Sequence, residues 1–331
     1  MIKKLKHRLL LSVGLGALVF LGLSIYSDSE RLAAAFGRFD ARYIPVALAL
    51  VNYFVRFVRW HLYLKLLGIP LAWRDRVVIF LAGLVLSVTP GKAGELLKAY
   101  FIQYRLGTPI SWSAPAVMAE RLTDFISLIC LAFLGILTFE SGAFYLVLGG
   151  VGIGLFLLVL GRASVVAAFL RTVGRLPVVA RLAAPLGRAY ESIRLLVAPA
   201  NLLWAVALGA GAWFAECLGF HFVLLGFDVD VGVIQATFIY GFATLFGAVT
   251  MLPGGLGPTE GSMSGLLVLQ GVSLPNAVAA TFVIRVCTLW FAVALGAGVL
   301  LVYRSRFEAE PEGDAEPVEG RGVQKREGIA E

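Results

Sequence analysis

SVTPGKAGELLKAY, residues Ser87–Tyr100, interrupts the otherwise apolar stretch Val77–Gln103 near its middle, and TMLPGGLGPTEGS, residues Thr250–Ser262, interrupts Val231–Gln270 in the same way. Proline removes a backbone donor and glycine loosens the chain, so a Pro-Gly pair stops a helix where it falls. The pieces flanking the first break are about 12 residues each, short of the roughly 20 that a bilayer crossing takes. Each region therefore reads as one kinked span or as a re-entrant hairpin that dips in and returns to its own side.

The surrounding chain is apolar almost throughout. It has 331 residues, 59% hydrophobic and 15% charged, with a mean hydropathy of +0.87. Soluble domains carry about 45–50% apolar and about 25% charged residues. Leu9–Tyr26, Tyr43–Leu67, Ser113–Phe139, Ala143–Leu160, Leu202–Leu225 and Pro275–Tyr303 read as six full spans. MIKKLKHR followed by Leu9–Ile25 reads as an uncleaved anchor, because its apolar run exceeds the roughly 7–15 residues of a signal peptide. The polar tail, 304–331, holds eight acids and five bases and reads as disordered. The whole chain is +7, so residues 1–303 carry +10. That excess points to loops facing an anionic leaflet, not to nucleic acid. Cys130, Cys217 and Cys287 sit in apolar runs without ligand spacing, so no metal or cofactor is expected.

Charge sets the orientation. Lys and Arg collect on the cytoplasmic side, which places KKLKHR there. If Val77–Gln103 crossed fully, the segment 161–200 would lie outside, although it carries six arginines and one acid, Glu191. A hairpin returns that basic linker to the cytoplasm and puts Gly226–Val231 outside, with both termini cytoplasmic. The two breaks then belong to an internal repeat. Pro90-Gly91 precedes Glu95 and Arg121 much as Pro253-Gly254 precedes Glu260 and Arg285. WHLYLKLLG (Trp60–Gly68) and GFHFVLLG (Gly219–Gly226) stand before each break. The expected fold is all-α and polytopic: about six spans plus two re-entrant hairpins in an inverted-topology repeat, 43–139 and 201–303.

Ionisable residues in a bilayer are costly and default to functional positions. Here they are Arg56 and Arg59, Lys92, Glu95 and Lys98, Glu120, Arg121 and Asp124, Glu216, Glu260, and Arg285. Arg121 and Asp124 are three apart and can pair on one helix face. The structural alternative is ion pairing that only fixes the bundle, with Arg56 and Arg59 snorkelling to the surface. A helix restarting after Gly91 or Gly254 points its positive end into the membrane, where it suits phosphate or carboxylate. Gly91, Gly94, Gly254, Gly255 and Gly257 would let a headgroup approach the backbone, or simply make tight turns.

In combination, TPGKAGELLKAY, AERLTDF (Ala119–Phe125), LPGGLGPTEG (Leu252–Gly261) and FVIRVCTLW (Phe282–Trp290) resemble the lysylphosphatidylglycerol synthase/flippase membrane-domain family, over roughly Leu9–Tyr303. The resemblance implies a bacterial or archaeal inner-membrane protein that moves or helps process a polar lipid, with membrane lipids as ligands and a lipid-synthesis enzyme as candidate partner. Lys92 and Lys98 stand where the family's first hairpin often carries Arg, and no aminoacyl-transferase domain is present. Three functions compete: a flippase for a phosphate-bearing lipid, a transferase acting on a lipid-linked sugar, and a transporter of soluble anions. The transferase rests only on Asp228-Val-Asp230.

Overall fold

The computed structural model describes residues 14, 18–22, 25, 43–89, 95–136 and 183–303, and among them every regular element is a helix. The apolar run Ala143–Leu160, the arginines of 161–182, the first break at Pro90–Gly94 and the tail lie outside the described residues. Of the first run, Leu9–Tyr26, the described residues are helical, and Phe20 meets Phe282 edge to face with ring centroids 4.6 Å apart.

Four long helices fall on four of the six expected spans. They are α1 (Ile44–Leu66), α4 (Ile110–Ile136), α6 (Pro199–Gly226) and α9 (Leu274–Val302), the last relaxed by a π turn at Val286–Trp290. Between α1 and α4 lie α2 (Trp73–Leu84), a 3₁₀ turn at Val85–Val88, and α3 (Leu97–Leu106). Between α6 and α9 lie α7 (Val233–Val249), a 3₁₀ turn at Pro253–Gly255, and α8 (Pro258–Leu269). The helix α5 (Ala183–Leu196) leads from the basic linker into the second half. At about 1.5 Å per residue, α6 and α9 exceed 40 Å and are apolar enough to cross a bilayer. The same arithmetic gives α2, α3 and α8 only about 15–18 Å, well under the bilayer's hydrocarbon thickness.

The halves repeat bond for bond at the turn closing their first helix. Ile69 N–H donates to Leu64 O at 3.0 Å, and Val229 N–H donates to Leu224 O at 3.0 Å. Leu71 N–H reaches Ile69 O at 2.9 Å, and Val231 N–H reaches Val229 O at 3.1 Å. This register sets His61 against His221 and Gly68 (φ 66°) against Asp228 (φ 55°). It corrects the match by sequence words, which would have set Gly68 against Gly226. Glycine takes the left-handed position without strain, and Asp is among the few other residues that tolerate it.

Packing between the halves is reciprocal. α1 lies along α6, α4 along α7, and α9 along α2. A side chain at Gly135 of α4 would meet the Ile234 carbonyl at 3.0 Å, and one at Gly296 of α9 would meet the Leu81 carbonyl at 2.9 Å. Small residues thus let each closing helix seat the other half's first limb, the usual means of helix association where no hydrophobic force operates. Apolar clusters around Trp60, Tyr63 and Phe80 in one half and Phe220, Tyr240 and Met263 in the other form the two cores.

Candidate functional site

Between those clusters the interior is ionic. On α1 the buried face carries Asn52, Tyr53, Arg56, Arg59 and Tyr63 at helical spacing, while Phe54 on the opposite face is 66% exposed. On α4 the i, i+1, i+4 set Glu120, Arg121 and Asp124 turns inward, while Met118 and Phe125 face out. Arg59, Glu120 and Glu260 are fully buried, whereas Leu203 is 75% exposed. Charge inside and hydrocarbon outside is stable only where the surroundings are hydrocarbon.

The buried charges of the first half form a continuous network. Arg59 donates to Asp124. Arg121 Nη2 lies 3.0 Å from both Asp124 Oδ2 and Glu95 Oε2. Glu95 also has Arg56 at 3.7 Å and Lys98 at 3.7 Å, and Lys98 Nζ donates to Glu120 Oε2 at 2.6 Å. In the second half Arg285 Nε donates to Glu260 Oε1 at 2.6 Å, and its Nη2 donates to the Gly254 carbonyl at 2.6 Å. Glu260 Oε2 accepts the Gly257 N–H at 2.7 Å, and Tyr240 OH donates to Glu216 Oε2 at 2.5 Å. Among the described residues this set has four cations and three carboxylates in one half, and Arg285 with Glu260 and Glu216 in the other. The ten groups sum to zero, as burial of ions requires.

A cavity of about 210 Å³ opens between the halves. Arg56, Arg121 and Asp124 line it from the first half, and Glu216, Arg285, Gly254 and Gly255 from the second. Arg59, Glu95, Lys98, Glu120, Gly257 and Glu260 do not line it; the charged ones among them are buried, with Arg59, Glu95 and Glu260 holding lining groups and Lys98 and Glu120 paired behind them. Lys92, Gly91 and Gly94 lie outside the described residues. The structure also alters the expected helix end. α8 begins at Pro258 rather than after Gly254, and its own Glu260 already caps the positive end. At Gly255 (φ 67°) the missing side chain makes room for Thr259, whose Oγ1 would lie 2.6 Å from a Cβ there, so the space serves packing.

Sequence reasoning passed over Tyr53, Trp213 and Tyr240, which give the cavity its aromatic wall. Tyr53 donates to the Thr288 carbonyl of α9 at 2.6 Å. A usable signal existed for Tyr240: it and Glu216 stand equally far on either side of Asp228, the turn between antiparallel α6 and α7.

An apolar exterior around a paired ionic interior is the construction of an integral membrane protein, and this chain is one. It belongs to the family described as the lysylphosphatidylglycerol synthase TM region, whose model matches residues 9–296. It is similar to UPF0104 membrane proteins of archaea. One from Methanocaldococcus jannaschii is 24% identical over 69% of this chain and 97% of its own length. One from Methanothermobacter thermautotrophicus is 21% identical over 91% of this chain and 97% of its own. One from Pyrococcus horikoshii is 24% identical over 87% and 95%. No solved structure matches the chain.

Proposed function

We propose that the protein carries a phosphate-bearing lipid headgroup across the bacterial or archaeal inner membrane, through the cavity between its halves. The observation that carries this reading is that Arg121 and Arg285, one from each half, line the same cavity. Guanidinium groups bind phosphate oxygens with paired, charge-assisted hydrogen bonds. In this reading the cavity takes the headgroup while the tails stay in hydrocarbon. Asp124 and Glu216 on the same wall allow a zwitterionic headgroup as well as an anionic one. In this reading the two broken regions are re-entrant hairpins, the chain crosses six times, and both termini are cytoplasmic. The halves are inverted relative to each other. The reciprocal packing and the repeated turn support that symmetry.

Transport is preferred over transferase chemistry because Asp228 stands where the first half uses Gly68, in a turn. Neither Asp228 nor Asp230 lines the cavity. A lipid-synthesis enzyme is the protein partner this role calls for. The test is leaflet exchange of labelled phospholipids in proteoliposomes. Wild-type protein should equilibrate a phosphate-bearing lipid, and Arg121→Gln or Arg285→Gln should abolish exchange while still reaching the membrane. Wild-type rates in both variants would leave the arginines structural. Uptake of a soluble phosphate ester with no exchange of any lipid would favour the soluble-anion transporter.

A further inference from the structure

In each half one arginine of the closing helix grips the interrupted region. Arg121 of α4 holds Glu95 just before α3, and Arg285 of α9 holds Glu260 in the first turn of α8. The arginines line the cavity, and the glutamates, 2% and 0% exposed, lie behind them. An anion entering the cavity therefore meets guanidinium groups already engaged by the chain's own carboxylates. We infer that Glu95 and Glu260 are stand-ins for the substrate anion, displaced from Arg121 and Arg285 when it binds. This rests on the phosphate-binding role proposed above and makes the two carboxylates competitors of the substrate instead of its ligands.

Each carboxylate has a second holder, which is what makes displacement feasible. Glu95 keeps Arg56 and Lys98, each at 3.7 Å. Glu260 keeps the Gly257 N–H at 2.7 Å, at a helix N-terminus that favours negative charge. Neither is left as a bare buried ion when its arginine turns away. The second half adds a mechanical consequence. Arg285 also holds the Gly254 carbonyl, and Gly254 packs against Val88, with Val88 Cα 3.5 Å from a Cβ built there. Drawing Arg285 toward an anion frees the tip of the α7–α8 region where it touches the other half. Substrate binding and hairpin release are thereby one event.

The sign of the effect is diagnostic. Glu260→Gln keeps the cap, since the amide oxygen still accepts the Gly257 N–H, but removes the charge that competes for Arg285. With full-length protein in nanodiscs, titrations use dihexanoyl phosphatidylglycerol and, separately, glycerol phosphate. Glu260→Gln should bind the short-chain lipid about tenfold more tightly, the equivalent of one charge-assisted hydrogen bond, while leaflet exchange slows. Glu95→Gln should do the same from the other half. Preference for glycerol phosphate over the lipid would assign the site to a soluble anion, with the same competition. Weaker or unchanged binding in both variants overturns the inference while leaving phosphate binding by the wild type intact. Failure of the wild type to bind either probe overturns both readings. In wild-type protein, amide exchange across Thr250–Ser262 should rise when the lipid is added; a fall overturns the release step without reference to any variant.

Discussion

Removing Lys98 should unfold this protein at a markedly lower temperature, and removing Glu120 as well should restore it. Lys98 Nζ lies 2.6 Å from Glu120 Oε2, both side chains are buried, and neither lines the cavity. The other carboxylate oxygen, Glu120 Oε1, has no hydrogen-bond partner among the described residues. Lys98→Met therefore leaves Glu120 as an unpaired ion in a dry interior, a change that costs about 3–5 kcal/mol. Lys98 also sits 5.3 Å from the Phe80 ring centroid and 5.6 Å from that of Trp60. A desolvated contact of that kind adds up to about 2 kcal/mol, part of which the methionine thioether retains. For a domain of this size the sum corresponds to a Tm lower by on the order of 10 °C. Lys98→Met with Glu120→Met removes both charges and fills similar volume, which is commonly neutral or better. With Cys130 and Cys287 replaced by alanine, Cys217 provides a reporter: it is fully buried, so a thiol-reactive dye reads its exposure on heating in detergent. The double variant should melt near the wild type. A single variant as stable as wild type, or a double variant no better than the single, would refute the view that this pair is structural.

Other outcomes follow from the same geometry. Asp228→Gly should leave stability unchanged or raised and transport intact, because Gly68 fills the equivalent left-handed position; loss of activity would revive a chemical role for Asp228-Val-Asp230. Gly247→Ala should destabilise by about 1–3 kcal/mol, measured by the same melt, since its methyl would collide with Thr259 Oγ1; adding Thr259→Ala should recover most of that loss. In a background lacking the native thiols, a cysteine at Asp230 should react with impermeant maleimide from outside intact cells, and one at Gly107 should not. Labelling of both positions from the same side would rule out inverted halves.

Much of the architecture was legible because membrane helices are read from length and apolarity. The runs beginning at Tyr43, Ser113, Leu202 and Pro275 became α1, α4, α6 and α9, and Pro253-Gly254 fell where regular helix stops. Arg121 and Asp124 could be paired from spacing alone, since residues three apart on a helix are neighbours. The likeness between the turns after α1 and α6 was legible too, although its register was not. The words ending in LLG are similar by composition, whereas the turn hydrogen bonds align the halves two residues away from them.

Sequence alone thus determined that the chain is a helical membrane protein with charged residues turned inward, because hydrocarbon surroundings leave ions no other stable place. Tertiary structure decided which charges meet. Arg59 and Asp124 lie 65 residues apart, Lys98 and Glu120 22, and Glu260 and Arg285 25. Helical periodicity fixes the face on which each stands, but not its height against a neighbouring helix. That height is set by close contacts such as Gly209, where a Cβ would lie 2.6 Å from Arg59 Nη1, and Gly296 against the backbone of α2. Only those contacts separate the arginines that open on the cavity from the carboxylates and lysine that stand behind it.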